Sequence, residues 1–162
     1  MSEPEVSDVS SEPEMPDKPV ASEVSNEPKG PDKPTLLLVE DEDDMADLVT
    51  LIMEGEGYQV LRAADGREAM KMIKSLPPPA LVLLDMLLPF ADGVKILDYL
   101  KCKRPAWKKV PVVMLTADSN ARDVRESLEL GAKDYILKPF RRAALIDRLR
   151  RFRPLGLEKL AS

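Results

Sequence analysis

Residues 80–93 read Ala-Leu-Val-Leu-Leu-Asp-Met-Leu-Leu-Pro-Phe-Ala-Asp-Gly, and this stretch decides the fold. Five apolar residues, 80–84, follow the cluster Pro77, Pro78, Pro79 without a break and stop at Asp85. A short apolar run bounded by turn signals suits a strand buried on both faces, as in parallel sheets covered by helices. In open parallel sheets ligands bind outside the carboxyl ends of the strands, and Asp85 stands at that point. Pro89 and Gly93 punctuate the loop that leads into a helix. Taken alone, a strand-ending Asp serves equally as a turn or cap residue. Its weight comes from three other strands that end in polar residues.

Upstream, residues 35–39 form a buried-type strand running into Glu40, Asp41, Glu42, Asp43 and Asp44. Asp43 or Asp44 is placed to N-cap a helix, and both favour its positive end. That helix carries Leu48, Val49, Ile52 and Met53 and stops near Gly55 and Gly57. Residues 58–61 are a second strand. Asp65-Gly66 opens a helix with Ala69, Met72, Ile73 and Leu76 on one face. Downstream, a helix from Asp92 or Gly93 carries Val94, Ile96, Leu97 and Leu100. A loop with Pro105 and a partly covered Trp107 follows. Residues 110–115 are the fourth strand, entered through Pro111 and running into Thr116. Residues 120–130 form a helix with a seam at Ala121, Val124 and Leu128, closed by Gly131. The fifth strand, 135–137, runs into Lys138-Pro139. The last helix starts near Phe140, buries Leu145, Leu149 and Phe152, and ends at Pro154. The pattern is (βα)5, an α/β fold with a doubly wound parallel sheet and helices on both faces.

Bulk properties narrow the function. Net charge is −5, but residues 1–34 hold nine acids and three lysines, −6 in all, which leaves +1 for residues 35–162. The folded part is near neutral, without the basic footprint of a nucleic-acid binder. Residues 1–34 also hold 7 of the 15 prolines and no aromatic residue, a composition that cannot bury enough surface to order itself. This tail repeats imperfectly: residues 9–19 match residues 24–34 at 8 of 11 positions, with a period of 15. It reads as a spacer or docking segment. A single cysteine, Cys102, rules out an internal disulfide and fits a cytoplasmic protein. No signal peptide or membrane span is evident. The absence of histidine excludes His-based triads, His metal ligands and a phosphohistidine on this chain.

The polar strand ends are Glu40-Asp41, Asp85, Thr116 and Lys138, all at the carboxyl edge of one sheet. Carboxylates gathered there repel one another and raise their own pKa values, and a divalent cation relieves that repulsion. Mg²⁺ suits the set, because it binds through one or two carboxylates and bridges to phosphate oxygens. Lys138 and Thr116 suit phosphoryl oxygens, and a carboxylate beside Mg²⁺ can accept a phosphoryl group in line. The acidic run after the first strand is not an EF-hand, since Ala46 stands where that loop needs glycine.

Residues 35 to about 153 resemble the receiver domain of bacterial two-component response regulators. The resemblance rests on Val39-Glu40-Asp41-Glu42, Asp85-Met86-Leu87-Leu88-Pro89 with Asp92-Gly93, Leu115-Thr116-Ala117, and Gly131 through Phe140 with Lys138-Pro139. It implies the strand order 2-1-3-4-5, a flavodoxin-like sheet. It implies phosphorylation of Asp85 by a histidine kinase or a histidine phosphotransfer protein. Mg²⁺ would be held by Asp41, Asp85 and the backbone carbonyl of Leu87, with Glu40 acting through a metal-bound water. Thr116 and Lys138 would bind the phosphoryl group, Tyr135 would be the aromatic switch, and Lys138-Pro139 would be cis. Leu87 and Asp118 depart from the commonest pattern and bear on the lifetime of the phosphorylated state.

The reading that follows is a stand-alone receiver over residues 35–153, with a disordered acidic Pro/Ser-rich tail at 1–34 and a short tail at 154–162. It is a signalling phosphoacceptor rather than an enzyme, limited to self-catalysed phosphoryl uptake and slow autodephosphorylation. A downstream protein is its target, through the face of the fourth helix, fifth strand and fifth helix. No DNA contact or membrane insertion is expected, and the chain is expected to be a monomer or weak dimer. The last helix is expected to be strongly basic: six arginines against Asp147 give +5 over residues 140–153, a surface suited to an acidic partner such as the chain's own tail. The rivals are a phosphorelay shuttle and a phosphorylation-independent scaffold. An aspartate-based phosphatase is disfavoured, because it uses a second acid where Leu87 stands.

Overall fold

The computed structural model describes residues 33–117, 121–154 and 157. Five strands, β1 (Thr35–Val39), β2 (Gln59–Ala63), β3 (Leu81–Asp85), β4 (Val112–Thr116) and β5 (Asp134–Leu137), alternate with five helices. The helices are α1 (Asp43–Gly55), α2 (Gly66–Ser75), α3 (Gly93–Cys102), α4 (Ala121–Leu130) and α5 (Arg142–Leu149). All strand pairs are parallel and the order is β2-β1-β3-β4-β5, as the sequence led us to expect.

Alternation along each central strand divides the core in two. Leu37, Val39, Val82, Leu84, Val112 and Met114 face α2, α3 and α4. Leu36, Leu38, Leu81, Leu83, Val113 and Leu115 face α1 and α5. The three inner strands are therefore apolar on both sides, with Leu81–Asp85 and Val112–Thr116 buried along their whole length.

Several local expectations are corrected. Glu42, not Asp43 or Asp44, occupies the N-cap of α1, without a side-chain cap bond; the two aspartates form the first turn. Ala46 takes the buried place expected of Leu48, which is exposed because α1 turns that flank to solvent. β2 runs two residues beyond Leu61, because pairing with β1 continues to Ala63. Trp107 is not a partly covered loop residue. It lies in a 3-10 turn (Pro105–Trp107) that packs on α3, fully buried in the core on the α2, α3 and α4 side of the sheet. In α4, Ser127 is buried where Leu128 was expected, and its hydroxyl donates to the Asp123 carbonyl at 3.0 Å. Phe152 is half-buried in a 3-10 turn after α5. Asn120, the Ala121 side chain, Asp118, the 1–32 part of the tail and its supposed contact with the last helix lie outside the described residues.

The basic character of the last helix is also smaller than its own residues imply. Arg148 and Arg151 both bind Asp134 of β5, and Arg153 pairs with Glu56 after α1. Both acids lie outside residues 140–153, so a count over that span misses them.

Candidate functional site

Parallel pairing places every strand's carboxyl end at one edge of the sheet. The register matches Val39 with Leu84, Asp85 with Leu115, and Thr116 with Leu137, so the polar residues that end these strands stand side by side. Glu40, Asp41 and Asp85 each bring a carboxylate oxygen to within 4.8 Å of the other two. Glu40 is fully buried, Asp85 is 5% exposed, and Asp41 is open to solvent.

Lys138 joins two of these acids. Its Nζ lies 3.0 Å from Glu40 Oε1 and 3.1 Å from Asp85 Oδ2. It is carried there by the end of β5, where the Lys138 N–H donates to the Thr116 carbonyl at 2.6 Å. The Lys138–Pro139 peptide is cis, as the resemblance implied. The remaining carboxylate oxygens are met by backbone amides: Glu42 N–H to Glu40 Oε2 and Leu87 N–H to Asp85 Oδ1, both 3.2 Å.

The electrostatics follow from burial and proximity. Burial raises the Glu40 pKa, with the Asp85 charge adding to it, against the lowering hydrogen bond from Lys138. Burial works against the charge on Lys138, but its bonds to Glu40 and Asp85 and their charges outweigh it, and the net shift is upward. The lysine is therefore held protonated between two acids.

The other expected residues fall around this cluster. Thr116 is buried at the end of β4, next to Lys138. Tyr135 is half-buried on β5 against the α2-α3-α4 core, with the Arg148 guanidinium 5.8 Å from its ring centre. Leu87 projects its side chain into solvent, 75% exposed, while its amide holds Asp85.

The loop after β3 has its own requirements. Gly93 begins α3 against the back of the site: a Cβ there would run into the Asp85 carbonyl oxygen and crowd Met86 Cα at 2.9 Å. Its amide donates to the Met86 carbonyl at 2.8 Å, and Asp92 caps the helix by accepting from Lys95 N–H at 2.9 Å. Phe90, with φ of 71°, lies exposed beneath the Arg67 guanidinium, 3.8 Å from its ring centre. Sequence reasoning missed this pair, and it missed Arg62, which binds the Glu40 carbonyl through Nε at 3.1 Å and Nη2 at 2.9 Å. The signal was available for Arg62: it is a charged residue at the carboxyl end of a strand, as Lys138 is.

Five parallel strands in the order 2-1-3-4-5, with three acids and a lysine converging at the carboxyl edge, define a receiver-type α/β domain. Residues 36–150 match the model of the response regulator receiver domain, and the chain belongs to that family. Its class is that of a two-component phosphoacceptor. The chain is 40% identical over 103 residues to the DNA-binding response regulator MtrA of Mycobacterium tuberculosis, covering 64% of this chain and 43% of that protein. It thus spans less than half the length of this curated relative. Among solved structures it is similar to the chemotaxis response regulator CheY4 of Vibrio cholerae, at 25% identity and a TM-score of 0.70, covering 75% of this chain and 100% of that one. The receiver domain of the sensor histidine kinase PA1611 from Pseudomonas aeruginosa, described with a magnesium ion coordinated in its active-site cleft, shares 30% identity. Its TM-score is 0.67, with 75% of this chain and 98% of that one covered.

Proposed function

We propose that Asp85 accepts a phosphoryl group and that this switches protein binding by the face of α4, β5 and α5. The observation that carries the reading is Lys138, bonded at once to Asp85 and Glu40 beside the exposed Asp41. One Asp85 oxygen attacks phosphorus in line, the bond from phosphorus to the donor breaks, and the leaving group departs with the electron pair. A histidine kinase or a histidine phosphotransfer protein is the donor. Lys138 turns from the carboxylates to the new phosphoryl oxygens, and Thr116, on the adjoining strand end, donates its hydroxyl to another.

The residues present suit a divalent ion. Three carboxylates meet within 4.8 Å, and burial first and then the Asp85 charge raise the pKa of Glu40, so added positive charge favours the ionised acids. Asp41, Asp85 and the Leu87 carbonyl would hold Mg²⁺, with Glu40 in support through water. Bound there, the ion supplies the charge that draws electron density from the transferring group.

The unit acts in its own right as a phosphorylation-controlled protein-binding module, taking up and slowly losing one phosphoryl group rather than turning over a substrate. A protein target is favoured over DNA for this unit, because three of its arginines in and after α5 are engaged by two of its own acids, Asp134 and Glu56, which offset two of their three charges. No helix of the described residues is long and apolar enough to cross a membrane, and a cytoplasmic location belongs to the same proposal.

The test is Asp85→Asn, incubated with acetyl phosphate or beryllofluoride and Mg²⁺. The amide keeps the shape and removes the nucleophile, so uptake falls to background while the melting transition survives. An adduct of wild-type amount on the variant would overturn the assignment.

A further inference from the structure

The β1–β2 ladder ends at the functional site, and a side chain takes over where the backbone stops. The Glu40 N–H still donates to the Ala63 carbonyl at 3.1 Å. The Ala64 amide is instead turned to Glu68 Oε1, at 2.8 Å. The Glu40 carbonyl is then bound by Arg62, through Nε at 3.1 Å and Nη2 at 2.9 Å. The third guanidinium nitrogen, Nη1, lies 2.9 Å from Asp43 Oδ1. One planar group therefore links the end of β1 to the first residue of α1, with Asp41 and Glu42 in the turn between.

That carbonyl belongs to the peptide joining Glu40 to Asp41, so holding it holds the Cα of Asp41. The other two acids are fixed through their carboxylates, Glu40 by Lys138 and the Glu42 amide, Asp85 by Lys138 and the Leu87 amide. Asp41 is the exposed acid of the three and is fixed through its backbone. We infer that Arg62 is a positioning residue for the metal site, pre-ordering Asp41 through the Glu40–Asp41 peptide. The inference rests on the reading above that these acids hold Mg²⁺. It requires arginine, because Nε and Nη2 of the rigid fork grip the one Glu40 carbonyl together and a lysine ammonium is a single point. Groups that orient a ligand from behind in this way typically contribute one to two orders of magnitude to metal affinity.

The test uses the full chain, titrated with Mg²⁺ alone and followed by amide NMR shifts. Arg62→Met keeps the stem and removes the fork; Mg²⁺ binding should weaken roughly tenfold. Arg62→Lys should recover only part of that loss. Asp43→Asn, which breaks the exposed ion pair and leaves the carbonyl clamp, should stay within about twofold of wild type. Phosphoryl uptake from acetyl phosphate in Arg62→Met should be slow at low Mg²⁺ and return to the wild-type rate at saturation, since Arg62 touches no reacting group. A rate depressed equally at every Mg²⁺ concentration would show a merely structural role and overturn the inference. Unchanged Mg²⁺ affinity in Arg62→Met, with wild type binding normally, would overturn it alone. No saturable shift in wild type would overturn the metal reading and this inference together. If Arg62→Met fails to fold, Arg62→Lys decides, and wild-type affinity there refutes the need for a fork.

Discussion

Two titratable side chains sit at opposite edges of the sheet, and both hold their protons more tightly than in water. Lys138 does so at the carboxyl edge because two acids surround it. Tyr58 does so before β2 because it is buried, with the Glu56 charge adding and the Arg153 charge opposing. Its hydroxyl has no hydrogen-bond partner among the described residues. A raised folded pKa means that stability is fully present below the unfolded value, about pH 10 for tyrosine, and is lost as pH rises through the folded value. Both groups therefore weaken the fold in alkali. Tyr58→Phe removes one of them: stability at pH 7 should stay within about 1 kcal/mol of wild type, and the alkaline decline should become shallower. Urea midpoints at pH 7 and above pH 10 measure this, and an unchanged alkaline slope would assign the whole effect elsewhere. At this scale Asp85 and Lys138 were legible, because each ends an apolar run. Arg62 carried the same signal directly after the expected strand, but its partner is a backbone carbonyl at the end of another strand, which no strand-end pattern marks.

At the scale of elements, the β3–α3 connection is where structure and chemistry meet. Asp92 caps α3 through the Lys95 amide, and Gly93 seats the first turn directly on the Asp85 backbone. Asp92→Ala should cost about 1 kcal/mol, the usual worth of an N-cap, and should lower the urea midpoint without changing its slope. A larger loss, with broadened amide signals around Asp85, would show that the cap also holds the phosphoacceptor loop. The α1 entry contrasts with it. The sequence offered two aspartates as caps, yet Glu42 stands at the N-cap position and its side chain makes no cap bond. The β1–α1 turn is held by Arg62 of β2 and by Lys138 just after β5 as well as by the local Glu42 amide, and local pattern is blind to the first two. The last helix and the turn after it show the same limit, because Arg148, Arg151 and Arg153 are engaged by Asp134 and Glu56, acids of other parts of the chain.

For the whole molecule, the contacts described above that join Glu40, Asp85 and Lys138 lie within residues 40–138 among the described residues. Deleting residues 1–34 should therefore leave Mg²⁺ binding and phosphoryl uptake at wild-type levels, with the melting temperature moved by no more than a few degrees. Calorimetry with a phosphorylation time course measures both, and a large fall in melting temperature would place structural residues in the deleted segment. Trp107 supplies a convenient signal for such work, being the single tryptophan and fully buried.

The amino-acid sequence by itself determined the class of sheet, the strand order through its resemblance, and the acids and lysine at the sheet edge. It could do so because buried parallel strands must be apolar on both faces, which makes each polar strand end conspicuous. Only the tertiary structure decided which partners those residues take. Lys138 reaches Glu40 across 98 positions of sequence and Asp85 across 53, Arg153 reaches Glu56 across 97, and Arg62 reaches back 22 to the Glu40 carbonyl. Burial of Trp107 and exposure of Leu48 belong to the same group, since both depend on what packs over the chain. Periodicity reports how a residue relates to its near neighbours along one element. It carries no information about distant elements, whose charges and surfaces settle pairing, burial and the geometry of the site.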